Sequence, residues 1–479
     1  MDRKEISAGL RELGLKNGSV VMLHSSYLSL GEVIGGPSAV IHAFLDVIGK
    51  KGTLLVPAFA SLGVLVEEVK NLPGAIISTC PVGAVAAYGP AAEELCKDHW
   101  KAETAHGIHT PFTRLAEKKG IICLLGVDQD RNTTLHSIEA LLELPYLQPI
   151  SCTVKTSSGK EVKKEYKYFP GPHRDFIGID ALLRDSGAMK VGRIGNAQVR
   201  MIDSVSMFDI LMTTGEECPD LFLCSNPNCA DCVKQRAAIY AYEMAQESFQ
   251  LTVSSRLAGR YIPEMVENMK KQGINLIELD YLQGKLFAKL SVKKLQEAVQ
   301  EFKDEKIEVS GIRLPCVPDE PEKLAEKLLQ SGINRVIMPL SGAAEAVKIL
   351  KKNRLDVVLY NVAQSSKSAA QEFSDLLKNT PELLFCFNAA NFAKVGENPF
   401  LYSYQAGRFI KTTGQLDVAD CTWDGNGTEL ALGNAEIKEM ISIMRCRNFS
   451  GYFCLGGGAF YPGDLESAAG NFRQLMKNI

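Results

Sequence analysis

Net charge is nearly absent from this chain: 53 Lys and Arg stand against 56 Asp and Glu over 479 residues. That balance removes the broad basic face of a nucleic-acid binder and any field that would hold an anionic membrane. No apolar run approaches the roughly 20 residues needed to span a bilayer, and Met1-Asp2-Arg3-Lys4-Glu5 lacks the apolar stretch of a secretory signal. The expectation is a cytoplasmic protein whose partners are small molecules, with neither nucleic acid nor membrane among them. Histidine is scarce and one-sided, with all 7 lying between His24 and His173, so the second half has no imidazole for base or metal chemistry. Cysteine is present in an odd number, 13, mostly as singletons inside apolar runs such as Ile121-Ile122-Cys123-Leu124-Leu125. That usage argues against a disulfide framework and for reduced thiols.

What is there is too long for one core. At 479 residues, with an apolar fraction of 46%, two domains are expected. Up to about residue 235 short β-rich runs alternate with helical segments, and residues 19–24, 52–59 and 120–127 read as buried strands of an α/β layer structure. Gly35-Gly36-Pro37 opens an amphipathic helix over 38–48, because Pro suits a first helical turn. Residues 151–169 read as a polar hairpin around the turn signal Ser157-Ser158-Gly159-Lys160, and 198–202 as another strand. A connecting helix is expected over 231–247, with 1–235 as the first domain, 236–250 as linker and 251–479 as the second.

From about residue 250 the rhythm becomes strand then helix, with strands at 251–255, 276–279, 309–314, 335–340, 357–361, 383–388, 409–418 and 452–455. Eight such units in that length predict a (β/α)8 barrel of the TIM type.

The chemistry concentrates in the first domain. His136 follows the polar loop Asp128 to Asn132, itself after the apolar run 120–127, which puts an imidazole at the carboxyl end of a strand, where α/β sheets place their sites. Glu139, three residues on, shares a helical face with it and is placed to orient the ring.

At these residues the sequence resembles the aminoglycoside 3-N-acetyltransferases, with their antibiotic acetyltransferase fold, over most of residues 5–225. The resemblance is carried by His24-Ser25-Ser26-Tyr27-Leu28-Ser29-Leu30-Gly31 with Gly35-Gly36, by Gly52-Thr53-Leu54-Leu55-Val56-Pro57, and by residues 74–90 with Ser78 and Pro81. Its most specific block runs from Gly107 through Leu124-Leu125-Gly126-Val127 to Asn132-Thr133-Thr134-Leu135-His136-Ser137-Ile138-Glu139. It implies an acyltransferase, a relative of antibiotic-resistance enzymes, that moves acetyl from acetyl-CoA to an amine. His136 would be the general base, Glu139 its partner, and Ser26 the donor to the thioester oxygen. The coenzyme would be held by His24, Ser25, Ser26, Gly31, Gly35, Gly36, Ser78, Thr79 and Thr110. Free N–H groups at a helix start suit its phosphates. His173 and Asp180 are expected near the same site.

The sequence departs from that pattern at three places, one of them Gly107-Ile108-His109-Thr110-Pro111, where the family has Gly-x-x-Ser-Pro and Thr110 keeps the hydroxyl. Ile77-Ser78-Thr79-Cys80-Pro81 stands where the family usually has Arg-Ser-x-His-Pro, and the loop from Phe59 to Gly63 is short, without the acidic insert that meets cationic antibiotics. The acceptor is therefore expected to be an amino sugar or related amine other than a classical antibiotic. Cys80, in apolar surroundings, is read as a structural thiol.

Cys218, Cys224, Cys229 and Cys232, spaced C-x5-C-x4-C-x2-C, are either the ligands of a structural zinc bracing the domain junction or ordinary reduced cysteines. The second domain resembles xylose-isomerase-like sugar-phosphate isomerase and epimerase barrels at Glu278-Leu279-Asp280 and Leu432-Gly433-Asn434-Ala435-Glu436-Ile437. Its candidate ligand contacts are Glu278, Asp280, Arg313, Asn388 and Asp417. Asn361 and Asp420 join the last two as candidate oxygen ligands for Mg or Mn in what is otherwise a binding or degenerate barrel, and Gly456 to Gly458 read either as a Gly-rich surface turn or as a phosphate loop. Without histidine, metal-dependent isomerisation is disfavoured. Three readings follow: an acetyltransferase fused to a binding barrel, which leads, a bifunctional enzyme acting on a sugar-like amine, and a non-catalytic scaffold. Homo-oligomerisation is open.

Overall fold

The computed structural model describes all residues except 61, 157–158, 172, 405–408 and 459–460. The expected turn at Ser157-Ser158 thus falls outside the described residues. The chain divides into two compact units, Met1–Ile239 and Tyr240–Ile479, and the division falls inside the helix Ala230–Ala245.

The first unit is built on a seven-stranded sheet. Its strands are β1 (Val20–Ser25), β2 (Thr53–Pro57), β3 (Ile76–Ile77), β4 (Val85–Tyr88) and β5 (Ile121–Leu125), followed after a hairpin by β8 (Met189–Ile194) and β9 (Ala197–Asp203). The hairpin pairs β6 (Gln148–Lys155) with β7 (Glu161–Tyr168) outside the sheet. Sheet order is β3-β4-β2-β1-β5-β9-β8, with β2, β1 and β5 parallel at the centre and antiparallel strands on both flanks.

Alternate residues of the central strands face opposite cores. Val21, Leu23, Leu54 and Val56 join one apolar cluster, and Met22, Leu55, Ile122 and Leu124 the other. Such strands read as continuous apolar runs because both faces are covered. Helix Gly36–Ile48 begins as the sequence predicts, on Gly35 and Gly36 at φ +88° and +65° with Pro37 in its first turn. Only glycine takes these left-handed angles without a Cβ penalty.

Three strands of this sheet have no counterpart in the sequence pattern, the first being the two-residue Ile76–Ile77. Val85–Tyr88 is an interior strand between β2 and β3, where the pair Ala86-Ala87 gives little β signal. Met189–Ile194 is a sheet edge whose Lys190 and Arg193 face solvent, so the apolar alternation is broken.

The second unit is a closed barrel of eight parallel strands, Gln250–Ser254, Leu276–Leu279, Glu308–Arg313, Arg335–Pro339, Asp356–Tyr360, Leu384–Asn388, Thr413–Val418 and Tyr452–Leu455. The expected (β/α)8 architecture is present. The seventh strand starts at Thr413 rather than Phe409 because Thr412 and Thr413 donate their N–H groups back to the Phe409 carbonyl, closing a turn there. No helix among the described residues is long and apolar enough to cross a membrane.

Candidate active site

The parallel neighbours β1 and β5 end side by side, with Ser25 opposite Leu125, and the Ser26 N–H donates to the Leu125 carbonyl at 2.9 Å. Two loops therefore leave the same edge: one carries Ser26 into the turn Tyr27–Leu30, the other leads through Gly126 to His136. Gly126 sits at φ +68°, and a Cβ there would lie 1.6 Å from Ser29 Oγ, so any side chain would push the two loops apart.

His136 opens the helix His136–Leu141, and its Nδ1 lies 2.5 Å from Glu139 Oε2. A carboxylate only accepts, so Nδ1 carries a proton, and in the neutral ring the lone pair is on Nε2. Glu139 is fully buried and is held by two further donors, the Tyr146 hydroxyl and Arg174 Nε, each 2.6 Å from Oε1. Burial pushes its carboxyl up. The His136 hydrogen bond and charge, the Arg174 charge and the Tyr146 hydroxyl outweigh that and hold it below the ordinary carboxylate value. The carboxylate thus stays ionised and fixes both tautomer and ring orientation. The ring stacks on Phe169, centroids 4.4 Å apart, with Phe176 edge-on at 5.0 Å.

His136 lines a cavity of about 510 Å³, together with Phe59, Phe169, Phe176, Arg174 and His173. A second cavity of about 720 Å³ runs past His24, Ser25, Ser26 and Leu28. Phe59, Asp130, Arg131 and Thr133 belong to the walls of both. Leu28, Leu62 and Val64, large apolar side chains left exposed, lie along the second. Buried His24 also faces it, with Nε2 lacking a partner and its pKa depressed by burial to about 3, so this imidazole stays neutral.

The other expected contacts separate. Gly31, Gly35 and Gly36 do not line the second cavity, although Gly35 and Gly36 form the adjoining helix start. Ser78, Thr79 and Thr110 line neither cavity. Ser78 is buried, accepts the Val85 N–H at 2.8 Å and donates to His99 Nδ1 at 2.8 Å, while His99 Nε2–H donates to the Ala105 carbonyl. Thr110 starts the helix Pro111–Glu117, with its hydroxyl on the Gly107 carbonyl and its N–H on Thr113 Oγ1. Buried Cys80 joins a small apolar cluster with Val154 and Tyr166. Asp180 lines neither cavity and is paired with Arg200 Nε at 2.8 Å.

Three residues went unremarked in the sequence. His106 is fully buried on the first cavity with both ring nitrogens unpartnered, and Thr133 has a buried, unpartnered hydroxyl on the wall common to both cavities. Arg174 completes the Glu139 cluster. Only the adjacency of His106 to Gly107, of Thr133 to the His136 motif and of Arg174 to His173 hinted at them.

The cysteine expectation needs one correction. Cys224, Cys229 and Cys232 do converge, but the fourth group is His173, and the four ligand atoms lie within 4.8 Å of one another. Cys218 caps the helix Ser204–Glu217 and stays exposed, because the turn after that helix carries it away from the other three.

In the barrel, the proposed ligand contacts are consumed by one another. Arg313 Nη2 lies 2.5 Å from Asp417 Oδ1, and its Nε pairs with Glu278. Asn388 Nδ2 donates to Asp417 Oδ2 at 2.9 Å, and Asn361 Oδ1 accepts the Asn388 N–H. Asp280 accepts from Ser254, Ser255 and the backbone of Arg256 and Tyr281, and Asp420 from the backbone of Cys421, Gly433 and Ala435. A guanidinium thus stands between the carboxylates a divalent ion would need. Gly457 and Gly458 lie directly on this network, where a Cβ would meet Asp417, Asn388 and Arg313, so the expected phosphate loop has a packing role.

An imidazole oriented by a buried carboxylate lies on one cavity, and a second, partly apolar groove shares its wall. Comparison with known proteins names the family. The family model described as aminoglycoside 3-N-acetyltransferase matches residues 22–62 and 58–214. Aminoglycoside N(3)-acetyltransferase IX of Micromonospora chalcea is 31% identical over 261 residues, covering 43% of this chain and 90% of that protein. Aminoglycoside N(3)-acetyltransferase IV of a Salmonella species is 32% identical over 218 residues, covering 42% and 82%. The crystal structure of aminoglycoside acetyltransferase AAC(3)-IVa as apoenzyme shares 30% identity and covers 50% of this chain and 97% of that one, at a TM-score of 0.45. The chain belongs to the aminoglycoside 3-N-acetyltransferase family, and its first unit is an N-acetyltransferase domain.

Proposed function

We propose that the first unit transfers acetyl from acetyl-CoA to a primary amine of an amino sugar or related small molecule, with His136 as general base. The observation that carries this reading is the wall common to the two cavities. The coenzyme's pantetheine arm fits the groove past Leu28, Leu62 and Val64, which brings the thioester toward Ser26 and Thr133, and the acceptor occupies the cavity of His136.

Nε2 of His136 takes a proton from the attacking nitrogen as the N–C bond forms and the thiolate of coenzyme A leaves. Imidazolium forms beside an ionised Glu139, whose charge favours it. The hydroxyls of Ser26 and Thr133 are the donors at hand for the developing oxyanion. The N-terminus of the helix Gly36–Ile48 adjoins the groove, and its dipole favours the phosphates.

The acceptor's charge follows from the lining. Among the described residues Asp130 is the only carboxylate on the acceptor cavity, against Arg131 and Arg174 and several aromatic rings. Such a wall suits an amine of low total charge with an apolar face better than a polycation.

The test is release of free coenzyme A thiol from acetyl-CoA by the full chain, over a panel from monoamino sugars to polyamino aminoglycosides. Release with a monoamine and weaker release with gentamicin-like polyamines is expected. Efficient transfer to the polyamines would remove the charge restriction, and no release with any amine would remove the reading itself.

A further inference from the structure

We infer that Cys224, Cys229, Cys232 and His173 hold one structural Zn²⁺, and that this ion fixes the loop that aims the catalytic base. Zn–S near 2.3 Å and Zn–N near 2.0–2.1 Å put tetrahedral ligand atoms about 3.8 Å (S to S) and about 3.5 Å (S to N) apart. His173 Nδ1 lies 3.3 Å from both Cys232 Sγ and Cys229 Sγ, and all four ligand atoms fall within 4.8 Å. The Cys224 N–H points at Cys232 Sγ at 3.4 Å, a backbone donor of the kind that stabilises a metal-bound thiolate.

Three thiolates from a short turn and one imidazole from a distant segment form a closed set, with no position left for substrate, which marks a structural site rather than a catalytic one. The spacing between Cys229 and Cys232, C-x2-C, supplies one half, and the fold brings His173 to it.

The consequence lies next door in sequence. Arg174 follows His173, and its Nε holds Glu139, which holds His136. The same segment is tied to the zinc-side helix by the His173 N–H on Asp231 and by Gln235 Nε2 on the Pro170 carbonyl, and it carries Phe169, the ring stacked on His136. Zinc therefore acts on the reaction through Arg174 and Phe169, as a positioning element, and this second half rests on His136 being the base.

The experiment measures metal content of the full chain purified under reducing conditions without added metal. About one zinc per chain is expected, falling below about 0.2 in His173→Ala and in Cys229→Ser, while Cys218→Ser keeps about one. Titration of the wild-type thiols with a mercurial, following zinc release, gives the same answer without any variant that must fold. In His173→Ala, kcat for acetyl transfer should fall about tenfold, with KM for acetyl-CoA within about twofold, and His173→Cys should restore both zinc and kcat.

Zinc below about 0.2 equivalent in the wild type, a disulfide among the three cysteines, or loss of metal in Cys218→Ser with retention in His173→Ala would overturn the site. Undiminished kcat in zinc-free protein would overturn the positioning role. A zinc-loaded chain that acetylates nothing would sink the acetyl-transfer reading and leave the metal site standing.

Discussion

Glu139 is a carboxylate with no exposure and three donors, and its energetics are those of a buried ion rather than of a surface pair. Replacing Arg174, itself 4% exposed at the side chain, with Met leaves that charge short of its main counter-ion. Removing one partner of such a pair costs about 3–5 kcal/mol, so Arg174→Met should lower the denaturant midpoint of the first unit at constant m-value. A change within about 0.5 kcal/mol, the range of ordinary surface substitutions, would mean that solvent reaches the pair. The residues that sequence made legible here are those close along the chain. His136 and Glu139 share one helical turn, and a strand-end loop announces them. Tyr146 and Arg174 reach the same cluster through the fold alone, and Cys218 shows the converse: nearness in sequence to three metal-ligand candidates did not place it beside them.

At the scale of elements, the first unit is built to fail in acid. His24 and His99 sit on β1 and beside β4, and burial holds their pKa values down to about 3 and about 4. The unfolded chain binds protons below about 6.5 that these native imidazoles refuse, so their contribution is full above that pH and shrinks as pH falls. Each accounts for roughly 2 kcal/mol lost by about pH 5. A His99→Gln variant, which keeps donor and acceptor groups, should lose less stability between pH 7 and about pH 5 than the wild type, read by urea melts at both pH values. Equal losses would place the acid sensitivity elsewhere. The central strands were legible because both faces are buried and their apolar runs are unbroken. The edge strand Met189–Ile194 and the alanine pair of β4 were not, since an exposed edge and a small side chain both erase the alternation that marks a strand.

On the scale of the whole molecule, the two units carry opposite chemistry. All 7 histidines of the sequence lie in the first, which holds the His136–Glu139 pair, the two cavities and the cysteine–histidine cluster. The barrel reproduces its expected strands almost residue for residue, because its repeat is regular, while its centre is filled by the Arg313 ion-pair network. Mg²⁺ or Mn²⁺ should therefore leave the barrel's melting transition unmoved, and a stabilisation of several degrees at millimolar metal would show that the carboxylates are available after all. Arg313→Met should cost about 3–5 kcal/mol by leaving Glu278 and Asp417 uncompensated. It should also leave acetyl transfer by the first unit unchanged, which separates the two halves functionally.

Single-turnover transfer from acetyl-CoA to a monoamino sugar, compared between wild type and His136→Ala with coenzyme binding measured alongside, bears most directly on the base. The variant's rate should be lower by about 10²-fold or more with the coenzyme's Kd little changed, since only the proton acceptor has been removed. A His136→Ala rate within about threefold of wild type would contradict it.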